Sequence, residues 1–201
     1  MSNFIPGHKI KKITDSKARE LSIVYPQWSD AESLTNFCNQ LSEEGGIFTA
    51  FNKEKFTLNS QIKYISNLFL EIERKKGITL FVKYENKIVG FAKISRFLNN
   101  MTRGMHRAEF SLYLSKDFRG TGIGYELSNT ILDEIKKNIF DISLITLEVV
   151  EQNIPAITLY KKLGFQTVGL LPKSYSRNAD YLGEVFMFKI LQEQNISVKK
   201  V

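Results

Sequence analysis

Residues 112–124 read LYLSKDFRGTGIG, an apolar strand that runs through a glycine-rich turn into the start of a helix. The turn has glycines at positions 120, 122 and 124, next to Arg119. Glycine allows the backbone to direct several N–H groups toward one point, and a helix N-terminus adds partial positive charge. The stretch therefore predicts a binding site for a phosphate or pyrophosphate group.

The glycine spacing separates this loop from two common phosphate sites. Gly120-x-Gly122-x-Gly124 differs from the G-x-G-x-x-G fingerprint of dinucleotide-binding folds, and a predicted strand meander precedes it rather than a βαβ unit. No Gly-Lys-Ser or Gly-Lys-Thr follows, which disfavours a nucleoside-triphosphate loop. What remains is the pattern Arg-x-x-Gly-x-Gly after a strand.

A second motif follows the next predicted strand. It contains Asn153, Ala156, Leu159, Tyr160, Lys161, Lys162, Leu163, Gly164 and Phe165. In combination, the two motifs resemble the coenzyme A site of the GCN5-related N-acetyltransferase (GNAT) superfamily. The pattern is closest to the amino-acid/phosphinothricin and ribosomal-protein alanine N-acetyltransferase branches, and it departs from the first branch at Gly183, where Asp is frequent.

The resemblance implies acetyl-CoA as co-substrate and no metal ion. In this family the strand before the glycine loop separates from the next strand, and the pantetheine arm lies in the gap. The residues that would bind the coenzyme are Leu112, Tyr113, Leu114, Arg119, Gly120, Thr121, Gly122, Ile123, Gly124, Asn153, Ala156 and Tyr160. An N-cap role would also explain Asn153.

Acetyl transfer to an amine needs a base, because amines are mostly protonated at neutral pH. Glu148 is one candidate: it lies in the otherwise apolar strand Leu144–Val150, where desolvation would raise its pKa, and the ribosomal-protein alanine branch has its proposed base at the matching position. Glu109 is the alternative base, or a solvated strand end. The resemblance implies that Tyr160 protonates the departing thiolate, with ordinary packing as the alternative.

Apolar periodicity predicts an α/β fold, with a mixed, mostly antiparallel sheet flanked by helices, as in GNAT-like acyl-CoA N-acyltransferases. Strands are predicted at 21–25, 79–84, 88–97, 108–115, 144–150, 165–171 and 182–190. Ser29 and Glu32 predict a capping box at the start of the first helix, whose apolar face includes Cys38. A second helix is predicted from about Leu58 to Lys75.

The 201 residues suit a single domain. We expect an N-terminal extension over 1–18, one N-acetyltransferase domain over 19–191 and a polar tail over 192–201. A lone cysteine indicates a reducing compartment, no apolar run approaches the ~18 residues of a membrane span, and no secretory signal is visible. These features predict a cytoplasmic protein.

The net charge of +7 favours an anionic partner such as a phosphorylated cofactor. The basic residues are scattered, so a nucleic-acid surface is not favoured. We expect direct acetyl transfer to a small-molecule amine such as an amino acid, in a pocket lined by Phe48, Phe51, Tyr175 and Tyr181. A protein N-terminus as acceptor, a non-catalytic acyl-CoA sensor and a homodimer remain open alternatives.

Overall fold

The computed structural model describes residues 4–44, 53–96, 104–177 and 180–191, which contain eight strands and four α-helices. The strands are β1 (Lys9–Thr14), β2 (Glu20–Val24), β3 (Gly77–Tyr84), β4 (Lys87–Arg96), β5 (Arg107–Leu114), β6 (Leu144–Val150), β7 (Gln166–Arg177) and β8 (Asp180–Ile190). The helices are α1 (Ala31–Glu44), α2 (Leu58–Glu73), α3 (Ile123–Asn138) and α4 (Ile154–Lys162).

The strands form one sheet in the order β1-β2-β3-β4-β5-β6-β8-β7. Strands β5 and β6 run parallel, and the other neighbouring strands in this order run antiparallel. The predicted mixed, mostly antiparallel α/β architecture is therefore confirmed. The predicted strand 144–150 coincides with β6, whereas β7 continues beyond the predicted end at residue 171.

The helices bury apolar faces on opposite sides of this sheet. Helix α3 packs against β3, β4 and β5, and its Leu127 and Ile131 are fully buried. Helices α1 and α2 cover the other face over β2, β3 and β4. Each fully buried Leu, Ile or Phe side chain stabilises the fold by roughly 1.5–3 kcal/mol relative to exposure. We call the apolar cluster under α3 the first core and the one under α1 and α2 the second core. Cys38 belongs to the second core, as predicted. Burial raises the pKa of its thiol to about 12.

An N-terminal strand was missing from the predicted element order. Within the expected extension, β1 pairs antiparallel with β2 and forms one edge of the sheet. Its sequence, KIKKIT, buries only Ile13, because it is an edge strand with mostly solvated side chains. Lysines are typical of such edges, where they discourage pairing with other chains. The segment before residue 19 is therefore partly built into the sheet, while the tail 192–201 lies outside the described residues.

The start of the first helix also differs from the prediction. A short 3-10 helix, Trp28–Asp30, precedes α1, and the reciprocal capping contacts involve Gln27 and Asp30 rather than Ser29 and Glu32. Capping therefore occurs two residues earlier than predicted. Helix α2 begins at Leu58 as predicted, with Thr57 as its N-cap.

Candidate active site

The central feature of the site is a gap in the sheet between β5 and β6. These strands pair only over Arg107–Glu109 and Leu144–Thr146. Beyond Glu109, β5 continues to Leu114 while paired with β4 on its other side, and β6 continues to Val150 while paired with β8. Strand edges in the gap have backbone groups that can bind an extended ligand as a further strand would.

The glycine loop lies at the open end of this gap, between β5 and α3. Gly120 and Gly122 adopt left-handed φ angles of +70° and +91°, and a Cβ built on either would meet no atom within 4 Å. A Cβ on Gly124 would lie 3.3 Å from side-chain atoms of Leu114 and Leu159. The first two glycines thus shape an open concave surface, and Gly124 allows α3 to approach β5 and α4.

The backbone donors of this loop are available to a ligand. No described residue accepts a hydrogen bond from the N–H groups of Gly120, Thr121, Gly122, Ile123 or Gly124. Gly122 is the N-cap of α3, so the helix dipole adds to the potential at the same point. Donors in this arrangement bind the oxygen atoms of a phosphate or pyrophosphate.

The Arg119 side chain makes contacts within the protein, and its contact with the coenzyme remains a prediction. Its Nε donates to the Leu114 carbonyl at 2.9 Å, and its Nη2 lies 2.6 Å from Glu44 Oε2. The guanidinium therefore joins the end of β5 to the end of α1. Of the predicted pantetheine residues, Leu112 and Leu114 face α3 and the first core, whereas Tyr113 packs on Phe91 with ring centroids 4.9 Å apart.

The Asn153 motif forms α4, beside the gap. Asn153 caps this helix, with its Oδ1 accepting from the Ala156 N–H at 3.3 Å. Gly164 ends the segment with a φ of +86°, the left-handed conformation that glycine commonly adopts after the last turn of a helix. The N-cap explanation of Asn153 is thus realised, and its contact with coenzyme remains a prediction.

Tyr160 is buried on α4 at 7% exposure. Its ring packs edge-on to Phe110 and lies near Phe165, with centroids 5.9 and 6.0 Å away. No described residue accepts a hydrogen bond from its hydroxyl group. Burial, and to a smaller extent Tyr113, raises the pKa of Tyr160, so the phenol stays protonated and able to donate.

The two candidate bases lie on the same face of the sheet, where β5 and β6 separate. Glu109 is paired with Thr146, two residues before Glu148, and side chains at this spacing share a face. Glu184 on β8 is paired with Val150 and belongs to the same face. Burial and then the carboxylates of Glu184 and Glu109 raise the pKa of Glu148, in the predicted direction.

Glu184 was not among the predicted site residues. Its strand, β8, lies next to β6 only in the folded sheet, and nothing in the local sequence indicated that neighbour. Ser174 on β7 donates a hydrogen bond to Glu184. We refer to Glu109, Glu148 and Glu184 as the carboxylate row.

Glycine at position 183 has a structural reason here. The Gly183 N–H donates to Glu151 Oε1 at 2.7 Å, and a Cβ on Gly183 would lie 3.2 Å from the Glu151 carboxyl carbon. An Asp side chain at 183 would therefore meet a carboxylate already present. This accounts for the departure from the amino-acid branch at this position.

The predicted acceptor pocket is only partly described. Phe48 and Phe51 lie outside the described residues, Tyr175 is half-buried and Tyr181 is 65% exposed. Tyr64 on α2 was not predicted; burial, and then the nearby Glu71, raises the pKa of its hydroxyl. It packs against the second core on the face that also presents Tyr113.

No helix in the described ranges is long and apolar enough to cross a membrane. The same ranges contain no group of three or more His, Cys, Asp and Glu side chains arranged to hold a metal ion.

Comparisons with known proteins find acetyltransferases among the relatives of this chain. The chain is 27% identical over 106 residues to L-amino acid N-acetyltransferase AaaT of Escherichia coli (strain K12), covering 53% of this chain but 64%, just under two thirds, of that protein. It is also 27% identical over 140 residues to a probable spermine N(1)-acetyltransferase of Bacillus subtilis subsp. natto (strain BEST195), covering 66% of this chain and 85% of that one.

Solved structures with a similar fold are also acetyltransferases. A GNAT superfamily phosphinothricin acetyltransferase from Sinorhizobium meliloti, solved with acetyl-CoA, superimposes with a TM-score of 0.74 at 21% identity, covering 87% of this chain and 90% of the other. The sequence model of the Acetyltransferase (GNAT) family matches residues 27–165. Because that match covers more than half of the chain, the protein belongs to the GNAT family and is an acetyltransferase.

Proposed function

We propose that the protein transfers the acetyl group of acetyl-CoA directly to a primary amine of a small molecule. The observation that carries this proposal is the separation of β5 from β6 after Glu109 and Thr146. The gap offers strand edges for the pantetheine arm, and five unengaged N–H groups, Gly120–Gly124, lie at its mouth for the pyrophosphate. Of the carboxylate row, Glu109 lies at the closed end of the gap, and Glu148 and Glu184 follow toward its open end, on the face opposite α3.

Glu148 acts as the base in this proposal. An ammonium group must lose a proton before its nitrogen can attack a thioester, and a carboxylate accepts that proton more readily when its pKa is raised. Burial and the neighbouring Glu184 and Glu109 raise the pKa of Glu148 in this way. Glu109 is the rival base, because it lies on the same face where the strands separate.

Tyr160 acts as the acid that protonates the departing thiolate. Its hydroxyl group is protonated over the physiological range because burial raises its pKa. The ring is held by Phe110 and Phe165, so the hydroxyl group is presented with little rotational freedom. Asn153 and Ala156, in the first turn of α4, bind the pantetheine arm.

The negative charge of the carboxylate row favours one class of acceptor amine over another. The sequence favoured an amino acid, but an acceptor carboxylate beside Glu109, Glu148 and Glu184 would be repelled. A diamine or polyamine would instead place a second cationic nitrogen near the row while Glu148 deprotonates the first. This observation favours a polyamine as the acceptor, and the match to a probable spermine N(1)-acetyltransferase is in the same direction.

Thiol release from acetyl-CoA tests the proposal across four groups of acceptors: polyamines, amino acids, aminoglycosides and peptides. We expect kcat/KM to be highest for a polyamine and to fall for its mono-amine analogue of equal length. A preference for amino acids would contradict the polyamine but retain the small-molecule acetyltransferase. A preference for peptide N-termini would support the ribosomal-protein type of acceptor, and coenzyme binding without turnover of any amine would indicate the non-catalytic sensor.

A further inference from the structure

The turn between β1 and β2 contacts the glycine loop, although more than 90 residues separate them in sequence. The Ser16 N–H donates to the Thr121 carbonyl at 3.1 Å, and Arg19 Nη2 donates to the Asp117 carbonyl at 3.1 Å. The Arg19 guanidinium also lies over the Phe118 ring, 3.9 Å from its centroid. The turn therefore holds two carbonyls and one ring of the segment between β5 and α3.

The turn is itself held in one conformation. Asp15 Oδ1 accepts from the N–H groups of Lys17 and Arg19 at 2.9 and 3.0 Å, and its Oδ2 lies 2.6 Å from Arg19 Nη2. Its carboxylate is fully buried. Burial alone would raise the pKa of Asp15, but the hydrogen bonds from Arg19 and Lys17 outweigh it and lower the pKa. Asp15 thus stays ionised and keeps the Arg19 guanidinium directed toward the loop.

The bond to Thr121 determines where the next N–H points. No cis peptide is present among the described residues, so the Thr121–Gly122 peptide is trans, and its C=O and N–H point in opposite directions. With the Thr121 carbonyl directed toward Ser16, the Gly122 N–H points away from the turn. Gly122 is the N-cap of α3, at the point where the pyrophosphate donors converge.

We propose that the β1–β2 turn, Asp15–Arg19, is part of the coenzyme site, and that Ser16 and Arg19 are positioning residues that orient the glycine loop for the pyrophosphate. Neither residue needs to contact the coenzyme, since they act through the Thr121–Gly122 peptide and Phe118. The proposal rests on the proposed coenzyme site and is independent of the identity of the acceptor amine.

Two variants with matched controls test this role. Ser16→Pro removes the N–H that holds Thr121, whereas Ser16→Ala keeps it. Arg19→Ala removes the contacts to Asp117 and Phe118, and Lys12→Ala is a control on the exposed side of β1. Melting temperatures establish whether each variant is folded. If Arg19→Ala does not fold, the comparison of Ser16→Pro with Ser16→Ala tests the proposal.

Each protein is titrated with acetyl-CoA by calorimetry and with S-acetylpantetheine, which lacks the nucleotide and pyrophosphate, by NMR. We expect Ser16→Pro and Arg19→Ala to weaken acetyl-CoA about tenfold, as for loss of one well-placed donor, with S-acetylpantetheine and both controls unchanged. Equal weakening of both ligands, or no weakening of acetyl-CoA, would overturn the proposal. Failure of the wild-type protein to bind acetyl-CoA would overturn the proposed function as well.

Discussion

The coenzyme side and the acceptor side that we propose for this site are built from different parts of the chain. The coenzyme side consists mainly of backbone donors in one continuous segment, Gly120–Gly124. The acceptor side consists of side chains from three strands, represented by Glu109, Glu148 and Glu184. Backbone geometry requires particular residue types at a fixed spacing, whereas a side-chain surface requires only that distant strands become neighbours. The glycine loop could therefore be predicted from the sequence, whereas the acceptor side could be predicted only in part: Glu109 and Glu148 were predicted, and Glu184 was not.

The largest effect is expected on the coenzyme side. Gly122→Asp places a carboxylate in the open space at the helix N-terminus, and acetyl-CoA binding should be abolished while the fold is retained. Calorimetry measures the affinity, and melting temperature checks the fold. Gly169→Asp is the matched control, because a Cβ there also meets nothing within 4 Å but lies in β7. Unchanged acetyl-CoA affinity in folded Gly122→Asp would contradict the proposal that the glycine loop binds the pyrophosphate.

On the acceptor side, Glu148→Gln should lower kcat by about 10²–10⁴-fold and leave acetyl-CoA affinity unchanged. The deficit should shrink as pH rises, because free amine then becomes available without a base. Rates of thiol release from pH 6 to 10 measure both effects. If Glu109→Gln shows this behaviour and Glu148→Gln does not, the base is Glu109.

Tyr160→Phe separates the proposed acid role of Tyr160 from a packing role. The hydroxyl group has no acceptor among the described residues, so the free energy of unfolding should change by less than about 1 kcal/mol. The value of kcat should fall about tenfold to a hundredfold with the Kd of acetyl-CoA unchanged. Wild-type turnover under conditions where chemistry limits the rate would leave Tyr160 a structural residue.

The smallest effect concerns Glu184. Its carboxylate raises the pKa of Glu148, so Glu184→Gln should lower that pKa and move the acidic limb of the kcat/KM profile to lower pH. For a polyamine, kcat/KM should also fall by up to about fivefold, as expected for an exposed charge pair. Glu151→Gln is the control, since Glu151 has no part in the shift of Glu148. A limb that moves equally in both variants would contradict a specific role for Glu184.

Local patterns predicted most of the fold. The apolar run of β6 had its bounds predicted without error, and the glycine loop and Gly164 have the positive φ angles expected of such turns. In the missed strand, β1, half of the residues are lysines exposed to solvent, and the sequence has almost no periodic signal. Its pairing with β2 depends on a hydrogen-bonded neighbour, which a window along the chain does not contain.

The sequence by itself determined the order of most elements and the glycine-rich turn before α3, because both follow from residue type at short spacing. It also supplied Glu148 and Glu109 as candidate bases, from their places in predicted strands and from the family resemblance. Only the tertiary structure decided that Glu184 joins Glu148 and Glu109, that Arg119 binds Leu114 and Glu44, and that the turn at Ser16 holds Thr121. The physical reason is that these contacts join segments that are far apart in the chain. Their energies depend on distances and directions that exist only once the sheet has formed.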